Sequence, residues 1–361
     1  MNYLVLSTIV IGISYFYEYL KDRENLSKGV KWLFYGILCF SLCLFAGLRT
    51  KYNDTGAYIK GFLNTPQNFS SLFVSEFSIS KVYLFEIWNY VIYHYVSQNV
   101  HIYLFLCSIV FVCPAVYLIE KYSSNFTFSM LLFMTEGMYL FSLAGLKQAM
   151  ATGVIFIGLP HLFKKEYFKY YIYCILATGF HTYSIFFLIV PLLGNELFNK
   201  RTIVFCVAII GTGVLLSYFS NILSALIKLL GKDVSEETIQ SGSVNILRAV
   251  VFVVPFVLTV LGRKKLAKTT EAEKWLVKIG MLSTAFMVLA LFGNPILFGR
   301  IPQYFLIGTV ISMPLLIEEA FVAKERNRIL TIATICYIIY ALYALYVDGA
   351  FTRDIFGLLF F

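Results

Sequence analysis

Long apolar segments recur along the whole chain, and they constrain its fold more than any other feature. Each is about long enough to cross a hydrocarbon core of roughly 30 Å as a helix. We count about twelve of them, at residues 3–20, 31–48, 82–97, 101–119, 126–143, 148–163, 168–193, 202–219, 246–262, 275–292, 300–317 and 329–347. Charged residues make up only 14% of the chain, against about 25% in an average soluble domain. The sequence therefore predicts an all-α, polytopic membrane protein of about twelve transmembrane helices, with residues 1–361 forming a single integral membrane domain.

The basic residues predict which loops face the cytoplasm. Lys and Arg are concentrated in the loops 21–31 and 263–274, so both loops are expected inside the cell. With twelve helices, both chain termini then lie outside. The long loop 49–81, the loop 220–245 and the short loop before Arg300 are expected on the extracytoplasmic side.

The loop 220–245 contains apolar residues at helical spacing, which favours a short amphipathic helix lying on the membrane. An ordinary surface loop is the alternative. The apolar residues are Ile222, Leu226, Leu229 and Leu230.

One basic loop, residues 163–169, disagrees with the twelve-helix count, which places it outside the cell. Two changes would resolve the conflict. The stretch 68–98 could be interfacial or re-entrant, and the segment 168–193 could break near Gly179. Both changes together would bring Lys147 and His181 near the outer side.

Several classes of function are not supported by the sequence. The seven cysteines lie in apolar segments without a CxxC pair, and the four histidines are scattered, so we predict no disulfide and no metal site. The net charge of +9 is spread over short loops, which indicates membrane topology and anionic lipid or phosphate instead of nucleic acid. No Walker or Rossmann pattern occurs, and we predict no cofactor.

Ionisable groups at membrane helices are functional candidates because each costs a few kcal/mol to insert. Arg49 and Asp54 lie where the second segment reaches the outer surface. Arginine binds phosphate in a bidentate manner, and the carboxylate is either a base or an ion-pair partner. An interface pair without chemistry is the alternative.

The middle of the chain supplies a second group of candidates. Lys147 and Gln148 follow an apolar segment almost without a loop, and the alternative for the lysine is a cation that extends to the head groups. His181 lies within an apolar stretch, with Ser184 one helical turn later. A hydrogen bond between helices is the alternative for this histidine.

Two arginines near the C-terminal half complete the set. Arg248 opens the ninth segment, where an interface anchor is the simpler interpretation. Arg300 is followed at helical spacing by Gln303 and Tyr304 and is flanked by two prolines. Irregular backbone beside a charge is tolerated in membranes where it lines a cavity.

The order of these motifs resembles the EpsG-like family of Wzy-type polysaccharide polymerases. The resemblance rests on "GLRTKYNDTGAY" with Arg49, Asp54 and Tyr58, and on "LKQAMATGVIF", "FKKEYFKYYIY", "LATGFHTYSIFFLIV" and "GRIPQYF". It covers most of the chain in order and is densest from about 130 to 195. Lys147 stands where the family usually has arginine, which keeps the charge and loses the bidentate geometry.

The resemblance implies a GT-C-like helical bundle that joins oligosaccharide repeat units carried on undecaprenyl diphosphate. It also implies a multi-pass protein of the inner or plasma membrane, with its site facing away from the cytoplasm. The expected partners are the lipid-linked oligosaccharide, membrane lipid, a chain-length regulator and a flippase.

Such a transfer displaces a diphosphate, which cations stabilise, and it needs a base for the attacking sugar hydroxyl. We expect His181 and Asp54 to be catalytic and Arg49, Arg300 and Lys147 to bind the diphosphate. The residues expected to bind substrate are Gln148, Tyr58, Ser184, Gln303, Tyr304 and Arg248.

Three other functions remain open at the level of sequence. A twelve-helix transporter or flippase of lipid-linked oligosaccharide should often show internal repeats, and we find none. A membrane acyltransferase that modifies glycans would use a central histidine but would lack the "GLR…D…Y" element. A purely structural membrane protein is the remaining alternative.

Overall fold

The computed structural model describes residues 3–23, 26–73, 82–218, 244–292 and 298–347, and these residues form helices joined by short turns. The α-helices are α1 (Tyr3–Arg23), α2 (Lys28–Leu48), α3 (Thr55–Leu63), α4 (Tyr83–Val91), α5 (Val100–Tyr122), α6 (Phe126–Thr135), α7 (Met138–Ala144), α8 (Leu146–Phe163), α9 (Tyr167–Thr178), α10 (Lys200–Tyr218), α11 (Ile246–Leu266), α12 (Glu271–Phe292), α13 (Ile301–Ala320) and α14 (Ala323–Val347). Two 3-10 helices, Phe69–Phe73 and Thr182–Leu193, and one π-helical turn, Ile92–Val96, complete the described elements.

Eight of the described helices are long and apolar enough to cross a membrane: α1, α2, α5, α8, α11, α12, α13 and α14. The pair α6 and α7, which bends by 42°, would make a ninth. The prediction of an all-α, polytopic membrane protein is thus confirmed. The predicted number of about twelve crossings is not confirmed by the described residues, and the single domain 1–361 stays a prediction.

One end of the bundle, here called the basic end, carries the turn 163–169 together with the loop 263–274. Lys165 Nζ lies 3.3 Å from Glu271 Oε2, which joins α8 to the start of α12. Two more contacts bring the ends of α1 and α5 to the basic end. Lys21 Nζ lies 3.6 Å from Glu120 Oε1, and the ring centroids of Tyr122 and Phe163 are 5.1 Å apart. The basic turn 163–169 therefore lies at the same end of the bundle as the basic loop 263–274, as its charges predict. The twelve-helix count would place the two at opposite ends.

The segment 82–97 does not form a full-length crossing helix. It consists of α4, with 9 residues, and the π-helical turn of 5 residues. His94 Nε2 lies 3.0 Å from the carbonyl of Pro66, and α5 then starts beside α2, with His101 Nδ1 2.9 Å from the carbonyl of Gly47. The described residues between α2 and α5 therefore stay at the end opposite the basic end, here called the site end.

The segment 168–193 breaks near Gly179, which is one of the two changes that the sequence suggested. Helix α9 ends at Thr178, and the 3-10 helix starts after His181. The hydroxyl of Tyr170 donates to the carbonyl of Phe187 at 2.9 Å, so the two halves lie side by side as a re-entrant hairpin. Its tip, at Gly179, accepts hydrogen bonds from the amides of Leu84 and Phe85 in α4.

Helix α13 is the centre of the bundle. Within its most apolar window, 94% of the residues are buried, against 11% for the peripheral helix α14. Because α13 starts directly after Arg300, this arginine is held at the middle of the site end. The predicted amphipathic helix within 220–245 lies outside the described residues.

Candidate active site

A cavity of about 330 Å³ opens at the site end, and we call it the cationic cavity. It lies between the start of α3, the junction of α7 and α8, and the residues that precede α13. Its lining consists of Asn53, Asp54, Phe141, Ala144, Gly145, Arg248, Gly299 and Arg300. Three of the predicted site residues, from distant parts of the sequence, thus share one cavity.

The two arginines of the cationic cavity are held in different ways. Arg300 is the residue before α13, and its carbonyl accepts a hydrogen bond from Gln148 Nε2 at 2.8 Å. Arg248 lies near the start of α11 and donates from Nη2 to the carbonyl of Gly299 at 3.4 Å. Arg300 is exposed and Arg248 is half-buried. Both side chains therefore keep access to solvent, which limits the desolvation cost of keeping two cations together.

Asp54 brings a carboxylate to the same cavity. It precedes α3 but makes no side-chain hydrogen bond to the helix start, so its carboxylate is not used as a cap. The preceding turn contains Asn53 at φ 42°, a left-handed conformation that asparagine tolerates better than most residues. The side chain of Asp54 is exposed, and Asp54 shares the cavity lining with the two arginines.

Tyr58 lies one helical turn after Asp54, between the cavity and α4. Its ring contacts that of Phe85, with centroids 6.1 Å apart, and the backbone amides of Leu146 and Lys147 interact with its hydroxyl. Burial raises the pKa of Tyr58, and the charge of Asp54 raises it further. Tyr58 therefore remains a neutral hydrogen-bonding group at ordinary pH.

Lys147 points away from the cationic cavity and is not among its lining residues. Its Nζ lies 3.4 Å from Glu86 Oε1 and 4.7 Å from the centre of the Phe85 ring. This places the lysine at the contact between α8 and α4. The predicted role of Lys147 in diphosphate binding is untested by this geometry.

His181 is connected to the centre of the bundle by a short hydrogen bond. Its Nδ1 lies 2.6 Å from the hydroxyl of Tyr304, one helical turn into α13 from Arg300. The backbone carbonyl of His181 accepts a hydrogen bond from Ser184 Oγ at 2.7 Å. Neither His181 nor Tyr304 is among the residues that line the cationic cavity, so they lie behind it.

Arg49 is a buried support of the loop that carries Asp54. Only 2% of its surface is exposed. Its Nε donates to Thr55 Oγ1 at 3.2 Å, and its Nη1 donates to the carbonyl of Ala46. Burial lowers the pKa of Arg49. Its Nη2 has no hydrogen-bond partner among the described residues, and Arg49 is not part of the cavity lining.

A second cavity, also of about 330 Å³, adjoins the first, and we call it the carboxylate cavity. The two cavities share Asn53, Phe141, Ala144 and Arg248. Glu136 and Gln303 line only the carboxylate cavity. Gln303 thus lines this neighbouring cavity, and its expected role in binding substrate stays a prediction.

Sequence analysis missed three residues that the structure places at or beside the site: Asn53, Glu86 and Glu136. A signal for Glu136 was present, since it is an acidic residue within the apolar segment 126–143. Glu86 likewise lies within the segment 82–97. Asn53 gave no signal beyond its position next to Asp54.

Comparison with known proteins gives one match. The model of a family described as the EpsG family matches residues 32–356. No curated protein and no solved structure matches the chain. The matched range includes every residue that lines the two cavities except Tyr3, which lines the carboxylate cavity.

Proposed function

The chain belongs to the EpsG family, and from that premise we propose that it is a polysaccharide polymerase of the membrane. In this proposal it is a glycosyltransferase that joins undecaprenyl-diphosphate-linked oligosaccharide repeat units. The growing glycan is transferred to a new lipid-linked unit, and undecaprenyl diphosphate is released.

The observation that carries the proposal is the cationic cavity. Arg248 and Arg300 supply two positive charges, and Asp54 supplies one carboxylate, around one open space at the end of a bundle of membrane helices. Guanidinium groups suit the oxygens of a diphosphate. A carboxylate beside them suits a sugar hydroxyl that must lose a proton.

In the proposed transfer, each of these charged groups has a role. An acceptor hydroxyl oxygen forms a bond to C1 of the donor sugar, while the bond between C1 and the diphosphate oxygen breaks and its electron pair leaves with the diphosphate. Arg300 and Arg248 stabilise the charge that develops on this leaving group. Asp54 accepts the hydroxyl proton as general base, because it is the carboxylate in the lining of the cationic cavity.

His181 has a positioning role in this proposal. Its hydrogen bond to Tyr304 fixes the first turns of α13, while Gln148 holds the carbonyl of Arg300. Tyr58 and Ser184 belong to the same supporting layer, and Arg49 and Lys147 add positive potential from behind the cavity. Gln303 lies beside this layer, in the lining of the carboxylate cavity.

The distribution of charge supports an extracytoplasmic site. Lys and Arg are retained preferentially on the cytoplasmic side of membrane proteins, and the basic turn 163–169 pairs with the basic loop 263–274 at the end opposite the cavity. We therefore propose that the cavity faces away from the cytoplasm of a multi-pass protein in the inner or plasma membrane. A flippase and a chain-length regulator are its proposed partners.

Deletion of the gene tests the function. We expect surface long chains to disappear and single repeat units to accumulate on the lipid carrier. Undiminished long chains would remove the polymerase proposal. Loss of all surface glycan with lipid-linked units retained inside the cell would favour a flippase, and loss of acetyl groups alone would favour an acyltransferase.

Arg300→Ala tests the site in the same strain. Removal of one donor to a developing negative charge costs about two to three orders of magnitude in rate, so the variant should restore almost no long chains. Arg328→Ala is the matched control, because Arg328 is exposed near the start of α14, and it should restore normal chains. Equal levels of both proteins in the membrane must accompany the comparison, and normal polymer from Arg300→Ala would overturn the assignment.

A further inference from the structure

The carboxylate cavity contains a buried acid that the proposed transfer does not use. Glu136 is 4% exposed and lies at the end of α6, where Gly137 at φ 81° starts the bend toward α7. The hydroxyl of Tyr337 interacts with its carboxyl group, but Oε2 has no hydrogen-bond partner within the described residues. A carboxylate inside a membrane bundle costs several kcal/mol unless a ligand or partner compensates it.

Gln303 presents a second unused acceptor to the same space. It is 5% exposed, and its Oε1 lacks a partner among the residues that the structure describes. Both atoms therefore require hydrogen-bond donors. The remaining polar lining of this cavity is Tyr3, Tyr52, Asn53, Thr135, Asn245, Arg248, Tyr340 and Tyr343.

These features select among classes of ligand. An apolar lipid tail would leave both acceptors unsatisfied, which is unfavourable for each buried group. A second anion would bring further acceptors and no donors. A ligand rich in hydroxyl groups supplies donors to both acceptors, and the faces of its rings can pack on Tyr52 and Phe141. The volume of about 330 Å³ is near the lower end of the range of roughly 300–1,000 Å³ for small-molecule sites.

We propose that the carboxylate cavity binds a sugar residue of the lipid-linked substrate, with Glu136 and Gln303 accepting hydrogen bonds from its hydroxyl groups. The inference rests on the proposed polymerase function, because the sugar would continue from the diphosphate held in the cationic cavity. The shared wall formed by Asn53, Phe141, Ala144 and Arg248 gives this continuity. Arg248 at that wall contacts both portions.

Two probes separate the cavities in the purified full-length protein. The first is the free oligosaccharide repeat unit, released from its lipid carrier, which has hydroxyl groups and no phosphate. The second is inorganic diphosphate. A ligand that binds only the folded protein raises its midpoint of thermal unfolding, and the rise grows with the logarithm of the ligand concentration relative to the dissociation constant. Titrations therefore report the dissociation constant of each probe.

Glu136→Gln keeps the shape of the side chain and replaces one carboxyl oxygen with an NH2 group, which donates instead of accepting. We expect the oligosaccharide to bind about 10-fold more weakly, which is the effect of losing one hydrogen bond, and diphosphate to bind as in the unchanged protein. Arg300→Ala should show the reverse. Glu325→Gln, which alters an exposed acid in α14, should bind both probes normally.

Kinetics then distinguish the donor sugar from the acceptor sugar. A raised KM for free oligosaccharide as acceptor, with the KM for the lipid-linked donor unchanged, assigns the cavity to the acceptor. The opposite pattern assigns it to the donor, and either result supports the proposal. Unchanged oligosaccharide binding and unchanged KM values in Glu136→Gln would overturn it.

The failure of this inference can be told apart from the failure of the proposed function. If gene deletion abolishes long chains while Glu136→Gln retains normal oligosaccharide binding, only the sugar-binding assignment is wrong. If deletion leaves long chains intact, the polymerase proposal itself is wrong.

Discussion

Two arginines at the site end show how differently one residue type is used. Arg49 directs Nε and Nη1 to Thr55 and the carbonyl of Ala46 and is almost completely buried. Arg300 is exposed, and its backbone carbonyl is the atom that Gln148 holds. The first guanidinium therefore stabilises the loop that positions Asp54, while the second is available to an anion. Of these two arginines, only Arg300 therefore fits the proposed role in binding the diphosphate.

At the residue scale, we predict that His181 and Tyr304 act as a unit. Removal of a buried hydrogen bond that leaves its partner unsatisfied costs about 1–3 kcal/mol, or roughly 5- to 150-fold in rate. His181→Ala and Tyr304→Phe should each lower the kcat of transfer by this amount and leave KM nearly unchanged. The double variant should be no slower than the slower single variant, because both changes remove the same bond.

His181→Asn provides the rescue for this prediction. Its side-chain oxygen can accept the hydrogen bond of the Tyr304 hydroxyl, so part of the lost kcat should return. His161→Ala is the control, since His161 pairs with Glu166 at the basic end, with Nδ1 2.6 Å from Oε2. Additive losses in the double variant would show that His181 and Tyr304 act independently.

At the scale of elements, the close contact between α12 and α13 depends on paired glycines. A Cβ atom at Gly308 would lie 2.5 Å from both the Gly280 nitrogen and the Leu276 oxygen. Both are backbone atoms that cannot rotate away. Since α13 carries Arg300 at its start, this contact determines the position of the cationic cavity.

Gly308→Ala should therefore destabilise the bundle. Overpacking of a tight contact costs about 1–3 kcal/mol and occasionally more, so we expect a lower midpoint of thermal unfolding in detergent. Gly36→Ala is the matched control, because no atom lies within 4 Å of a Cβ at Gly36 in α2. That change should be neutral or stabilise the protein by at most about 1 kcal/mol. Equal midpoints for the two variants would contradict the proposed contact.

The sequence predicts the positions of the elements better than their paths. Hydrophobicity reports where the chain avoids water, so the predicted segments 3–20 and 101–119 coincide with α1 and α5. Hydrophobicity does not report direction, and a re-entrant hairpin is as apolar as a crossing helix. The break at Gly179 was one of two predicted solutions, and it depends on the docking of α4, whose amides bind its carbonyl.

For the candidate site, the sequence likewise indicated which residues to consider but not how they are arranged. Asp54, Arg248 and Arg300 were identified because charged groups at membrane helices are costly and few. Glu136 meets the same criterion, but an acid without a neighbouring motif was not selected. Which cations line a cavity and which lie behind it depends on the contacts between helices. Arg49 and Lys147 therefore could not be separated from Arg300 by sequence alone.

At the scale of the whole molecule, the bundle has two chemically distinct ends. The basic end collects the loops rich in lysine, joined by the Lys165–Glu271 pair. The site end carries both cavities. The re-entrant hairpin enters from the basic end, and its tip brings His181 to Tyr304 in the centre. The lipid-linked substrate of the proposed function would then reach the site end without passing the basic loops.

The last prediction tests this polarity in intact cells. Lys51→Cys places a thiol on the exposed turn beside the cationic cavity, and Lys164→Cys places one on the exposed basic turn. A membrane-impermeant maleimide should label the first variant in intact cells and the second only after permeabilisation, because positively charged loops remain in the cytoplasm. The unmodified chain with its seven cysteines gives the background. Labelling of both variants from outside would restore the twelve-crossing arrangement, and the reverse pattern would place the cavities inside the cell, where a polymerase acting outside could not use them.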